Sequence, residues 1–183
     1  MTVLIPPSSK SINSWFKSGT GSGQCAMLVV GGANEALLAK PGTPEIILKP
    51  KLGFIKLAIK AGVSLVPVFA FGENDVWDQD AQPDKNSLAG KFHRLFKSHT
   101  GIELPKFKGR GILNYSSGLL PFRRPIHVVF GEPIDTVKCE IPTEDYLKEV
   151  HGKYIEGILK VYNEHKYKYI PMVDGKIPDL VIH

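Results

Sequence analysis

An α/β fold, with a mixed sheet flanked by helices, is what this sequence predicts, and three observations predict it. Short runs rich in β-branched and aromatic residues, CAMLVV (25–30), EIILK (45–49), SLVPVFAF (64–71) and IHVVF (126–130), alternate with segments of helical period. The 18 glycines and 14 prolines fall mostly between these runs, which implies tight connections and short elements. With 183 residues, 43% hydrophobic and 22% charged, the chain has material for one domain with a proper core, residues 1–183, and a composition unlike that of disordered chains.

Each element has a local reason. Ser11–Ser18 reads as a short helix anchored by Trp15 and Phe16, and GTGSG (19–23) as a turn. Cys25–Val30 is expected as a fully buried strand and Asn34–Lys40 as a brief helix stopped by Pro41-Gly42. Glu45–Lys49 is a second β-branched run. Over Phe54–Ala61, Phe54, Leu57, Ala58 and Ala61 fall at i, i+3, i+4, i+7, with Lys56 and Lys60 on another face. Pro67 interrupts the strand Ser64–Phe71, which suits an edge or a bulge. Ser87–Ser98 reads as helical, and a Gly- and Pro-rich stretch follows up to the strand Ile126–Phe130. Thr143 is placed to cap a long helix whose apolar positions Leu147, Val150, Tyr154, Ile158 and Val161 keep helical spacing to about His165. The tail from Tyr169 reads as irregular. The alternation of strands and helices implies that the sheet is at least partly parallel.

Composition narrows the function. An excess of 23 Lys and Arg over 18 Asp and Glu gives a net charge of +5, a field that favours anionic ligands and surfaces without choosing among them. Cys25 and Cys139 belong to no Cys-x-x-Cys unit and read as free thiols of a reducing compartment. The opening MTVLIPPSSK does not have the pattern of a signal peptide. The longest apolar stretch, Leu57–Gly72, is broken by Lys60 and Pro67 and too short to span a bilayer unaided.

Ligands of parallel α/β sheets bind beyond the carboxyl ends of the strands. Two strands end there in loops with acidic residues, LVVGGANE (28–35) and VFAFGEND (68–75). Parallel strands would place Glu35 and the group Glu73, Asn74 and Asp75 along one edge. Gly31 and Gly32 would let a ligand approach the backbone closely, and amide N–H groups of the helix starting near Ala33 would face an anion. The alternative for Glu35 is that it only complements the positive end of that helix. Lys49, Lys51, Lys56 and Lys60 form a basic cluster suited to nucleotide phosphate or anionic lipid, or else a solvated face. Arg110, Arg123 and Arg124 suit phosphate contact, or else close loops.

Other chemistries lack their signatures. There is no Gly-x-Ser-x-Gly elbow and no Walker motif, and GTGSG precedes its strand instead of following one. His93 and His99 are joined by no further ligand at zinc spacing, so no metal is expected, and no aromatic-basic interleaving suggests nucleic acid.

Four blocks, VVGGANEALLAKPG, KPKLGFIKLAIKAG, LVPVFAFGENDVWDQ and KGRGILNYSSGLLPFRRPIHVVFGEPI, occur in this order. Together they resemble the type-2 diacylglycerol acyltransferase and monoacylglycerol acyltransferase family, a likeness running over roughly residues 12–168. The resemblance implies a glycerolipid-acyltransferase-like sheet. It also implies transfer of a fatty acyl group from acyl-CoA to the hydroxyl of a mono- or diacylglycerol, at the cytosolic face of the endoplasmic reticulum membrane and on lipid droplets. It puts Gly31, Gly32, Asn34 and Glu35 beside the acceptor or the thioester, with Glu35 the candidate catalytic residue. On the reading of the residues themselves, Glu73 joins the acceptor site and Lys49, Lys51, Lys56 and Arg110 bind substrate, the basic cluster holding CoA phosphates or facing the membrane. Acyl-CoA is then a substrate, and no cofactor is implied.

Family members carry, upstream of the matching blocks, a membrane-embedded hairpin and a His-Pro-His-Gly motif whose histidine acts as general base. Neither that motif nor His-x4-Asp occurs here, and the nearest spacings, His127 to Glu132 and His151 to Glu156, lie outside any matching block. The chain is therefore expected to be the C-terminal portion of a catalytic domain, its sheet incomplete at the N-terminal side. It would be active with a partner supplying that segment or as a homo-oligomer, or else an inactive relative that binds acyl-CoA or the lipid-droplet surface.

Overall fold

The computed structural model describes residues 8–18, 23, 25–31, 35, 38–79, 107–111, 120–172 and 175–183. The elements, in chain order, are α1 (Ser9–Ser18), β1 (Glu45–Ile46), α2 (Gly53–Ala61), β2 (Val68–Phe71), a 3-10 turn (Glu73–Val76), β3 (Asp78–Gln79), β4 (Phe107–Lys108), β5 (His127–Phe130), α3 (Glu144–Tyr169) and β6 (Val181–Ile182). The fold is a mixed helix and strand arrangement built around α3. The helix expected over Ser87–Ser98 lies outside the described residues.

α3 is the spine, and local chemistry starts it where the sequence indicates. The Thr143 hydroxyl accepts from the Tyr146 N–H at 3.3 Å, and Glu144 and Asp145 complement the positive helix end. Thr143→Ala is expected to lower stability by about 1 kcal/mol, read from urea unfolding. The helix continues one turn past His165, to Tyr169. Its stripe of Val150, Tyr154, Ile158, Val161 and Tyr162 is buried, and most of it joins Leu48, Ile55, Ile59, Phe71 and Leu180 in the core.

α2 buries Ile55, Ala58 and Ile59; of the face expected from the spacing, Ala58 is buried and the half-buried Phe54 ring meets Tyr154 of α3 edge-on at 4.9 Å, while Leu57 and Ala61 are only half-buried. Both sets obey helical spacing, and the face with two β-branched isoleucines against Tyr154 and Tyr162 is the one buried. Lys56 lies on the exposed side. Gly62 ends the helix at φ 68°, donating to the carbonyls of Ala58 and Ile59. α1 begins two residues earlier than the spacing indicated, because the Ser8 hydroxyl accepts from the Ser11 N–H. Its buried anchor is Ile12, with Trp15 and Phe16 only half-buried.

The strands form three two-stranded ribbons among the described residues. β2 pairs antiparallel with β5, β3 antiparallel with β4, and β1 parallel with β6. The tail expected to be irregular therefore contributes a strand. Pro67 divides the β2 region as anticipated: Leu65 pairs with Ile134 on one side, Val68–Phe71 pair with His127–Phe130 on the other, and the Pro67 carbonyl accepts from Gly131 between them.

Cys25–Val30 departs from expectation. It is neither a strand nor buried: Val29 is 87% exposed, and only Val30 packs on the core. An apolar run becomes a buried strand only beside a neighbour that accepts its hydrogen bonds, and no described strand pairs with it. The expectation of parallel strands over 25–30 and 64–71 fails with it.

Candidate functional site

The candidate site is built on the segment Thr43–Ile47, to which both acidic loops are tied. The Glu35 carboxylate is half-buried, and its Oε2 accepts from the Ile47 N–H at 2.8 Å. The Glu35 carbonyl in turn accepts from Ala39 at 3.2 Å, one helical bond of the short turn expected here. Gly42, at φ 75°, then reverses the chain, and Thr43 donates both its N–H and its hydroxyl to the Lys40 carbonyl.

The second loop reaches the same segment through Asn74, whose Nδ2 donates to the Thr43 carbonyl at 2.9 Å. Gly72, at φ 85°, launches this turn, and Asp75 N–H closes it on the Gly72 carbonyl. The loops therefore meet by bonding to one backbone segment, not by following two parallel strands to a common edge. Asn74 is the residue that joins them, and an Asn two positions past a turn glycine was the available sequence signal.

Gly31 has a different reason from the one expected. A Cβ on Gly31 would collide with Oε1 of Glu35, so the group that approaches this backbone closely is the protein's own carboxylate. Gly32 and Asn34 lie outside the described residues. Glu73 opens the 3-10 turn, exposed and without an ion-pair partner among the described residues.

Lys49 and Lys51 follow directly on the segment that binds Glu35. The Lys49 N–H donates to the His183 carbonyl and the Lys51 N–H to the Leu48 carbonyl, which fixes the backbone from which both side chains leave. Behind them, the buried His151 ring sits with Nε2 3.2 Å from the Leu48 carbonyl; a carbonyl only accepts, so Nε2 carries the proton. Lys49 and Lys56 are exposed and Lys51 half-buried, and none pairs with an acidic side chain among the described residues. The backbone N–H that holds this carboxylate thus lies just before Lys49 and Lys51, neither of them ion-paired among the described residues.

Arg110 is not brought to this group. Its Nε donates to the Pro121 carbonyl at 3.0 Å and its backbone pairs with Leu120 in both directions, so it closes a loop. That loop does touch the second acidic turn, through Phe122 N–H on the Val76 carbonyl. Among the described residues no cluster of three metal-ligating side chains occurs, and no described helix is long and apolar enough to cross a membrane.

The sequence profile of the diacylglycerol acyltransferase family matches residues 1–177. The chain belongs to the diacylglycerol acyltransferase family. It is 48% identical, over 87% of its length, to diacylglycerol O-acyltransferase 2 of Dictyostelium discoideum, and 42% identical, over 81%, to diacylglycerol O-acyltransferase 1 of Schizosaccharomyces pombe. It is also 41% identical, over 81%, to 2-acylglycerol O-acyltransferase 1 of Bos taurus. These matches cover 47%, 43% and 44% of the three relatives, so the chain spans about half the length of the relatives it matches. No solved structure matches it.

Proposed function

We propose that this family member contributes the acceptor-side part of an acyl-CoA-dependent O-acyltransferase that esterifies diacylglycerol to triacylglycerol. Family membership carries the reading: relatives at 42–48% identity bear the name diacylglycerol O-acyltransferase. The acceptor hydroxyl forms the new ester bond at the acyl carbonyl, its proton passes to a general base, and CoA leaves as the thiol. In this reading Glu35 orients the acceptor hydroxyl, with Gly31, Gly32, Asn34 and Glu73 around it. Lys49, Lys51 and Lys56 hold the phosphates of CoA, and Arg110 supports the loop beside the second turn. The fold is then one portion of a glycerolipid-acyltransferase sheet, working at the cytosolic face of the endoplasmic reticulum and on lipid droplets.

The test uses membranes given labelled acyl-CoA and diacylglycerol. A version that includes the His-Pro-His-Gly segment is expected to make triacylglycerol, and this chain alone to run about 10²–10⁴-fold slower for want of the base. In the longer version Glu35→Gln isolates the charge, because the amide oxygen still accepts from Ile47. A fall in kcat with protein level unchanged supports the acceptor role. Unchanged turnover reduces Glu35 to the structural bond with Ile47, and full-rate synthesis by this chain alone overturns the need for a second segment.

A further inference from the structure

Two polar or charged side chains are buried among the described residues, Lys166 and His151. Lys166 is accounted for by Asp179, 2.6 Å from its ammonium group. His151 stands on the stripe of α3 that also holds Val150, Tyr154 and Ile158, where an aliphatic side chain would fill the space without burying polar nitrogens. Its Nε2–H goes to the Leu48 carbonyl, which also accepts from the Lys51 N–H at 2.9 Å, so both lone pairs of that oxygen are used. The neighbouring peptide groups are held by His183: its carbonyl accepts from the Leu48 and Lys49 N–H groups, and its N–H donates to the Ile46 carbonyl. The Ile47 N–H, in the middle of these, is the group given to Glu35.

We propose that His151 is a positioning residue for acyl transfer: through the Leu48 carbonyl, its ring sets the direction of the Ile47 N–H and so the place of the Glu35 carboxylate. It does this without touching substrate. A Leu48 carbonyl bonded only to Lys51, three residues on in the same segment, turns whenever that segment turns. Bonded to His151 as well, it is fixed to α3, the spine of the fold. The ring is thus the tie between the core helix and the backbone that receives the acidic loop. A side chain lacking the donor leaves the Leu48 oxygen satisfied by Lys51 and the segment paired with His183, so the loss falls on position and not on an orphaned polar group. The inference rests on the acceptor role proposed for Glu35 and adds the group that holds Glu35 in register.

In the longer version that includes the His-Pro-His-Gly segment, His151→Leu removes the donor and keeps an apolar side chain, whereas His151→Gln keeps an N–H donor. The leucine variant is expected to lower kcat about tenfold or more, with the KM for acyl-CoA within about twofold, as for a catalytic group slightly misplaced. The glutamine variant is expected to recover most of the rate. In a Glu35→Gln background the leucine substitution should cost little, because its effect passes through that carboxylate. Equal losses in both backgrounds, or a glutamine variant as slow as the leucine one, overturn the proposal. Two measurements on this chain do not depend on turnover. Hydrogen exchange at the Ile47 amide should quicken about tenfold in the leucine variant while the amides of β2 and β5 keep their rates, and no change at Ile47 overturns the proposal. Nitrogen chemical shifts of the unmodified chain should show a proton on Nε2 of His151, and a ring protonated on Nδ1 alone overturns it too. If Glu35→Gln leaves turnover intact while the Ile47 amide responds as expected, the acceptor reading fails and the hold of His151 on this backbone stands.

Discussion

Tyr162→Ala is expected to lower the unfolding free energy of the chain by about 3–5 kcal/mol, the range for removing a large aromatic from a core. The ring is fully buried, stands edge-on to Phe69 at 5.3 Å and stacked on Phe71 at 5.8 Å, and so joins α3 to β2 of the ribbon. Its hydroxyl donates to the Pro178 carbonyl at 2.6 Å, holding the segment that leads into β6. Urea unfolding followed by circular dichroism measures the loss, and a change below about 1 kcal/mol would mean the ring is not a core element.

Tyr162→Phe separates the hydroxyl from the ring and is expected to cost about 0.5–1.5 kcal/mol. It also has a pH signature. Burial first, and then the nearby Asp179 carboxylate, push the Tyr162 phenol up to about 12. The unfolded chain ionises this group near 10, so between pH 10 and 12 the folded state binds more protons. Stability from this group is complete below pH 10 and lost as pH rises through that window. The phenylalanine variant lacks that component, so the gap between the two unfolding curves narrows from pH 10 to 12.

Gly72→Ala has the second large effect. At φ 85° a non-glycine residue pays about 1–2 kcal/mol. Its Cβ would also strike the Pro125 carbonyl oxygen, backbone that can move only with β5, adding about 1–3 kcal/mol. Gly175→Ala is the control, since φ there is 75° with nothing within 4 Å, and only the conformational part should appear. Because Gly72 launches the turn that carries Asn74, the alanine variant should also break the Asn74–Thr43 bond. In an active longer version, turnover should therefore fall further than stability alone explains.

What was legible in the sequence was what is local. The Thr143 cap, the helix behind it and the break at Pro67 each depend on residues within a turn or two. The face of α2 was ambiguous because two sets of positions fit one period, and only packing against α3 decides between them. Strand direction was not legible: whether β2 finds a parallel or antiparallel neighbour depends on residues almost sixty positions away. The burial expected of Cys25–Val30 needed a partner that the described residues do not contain. At the site, the acidic loops were legible as loops, but the joining bonds were not, since a side chain to a backbone amide leaves no periodic trace.

The pairing of β1 with β6 has a consequence for how this molecule is made. Glu45 meets His183 across 138 residues, and the backbone of Leu48 and Lys49 hangs on the His183 carbonyl. While the ribosome is still translating the middle of the chain, the strand beside Glu35 has no mate. The acidic loop therefore sets only once residues 181–183 have been made and have closed the 138-residue separation.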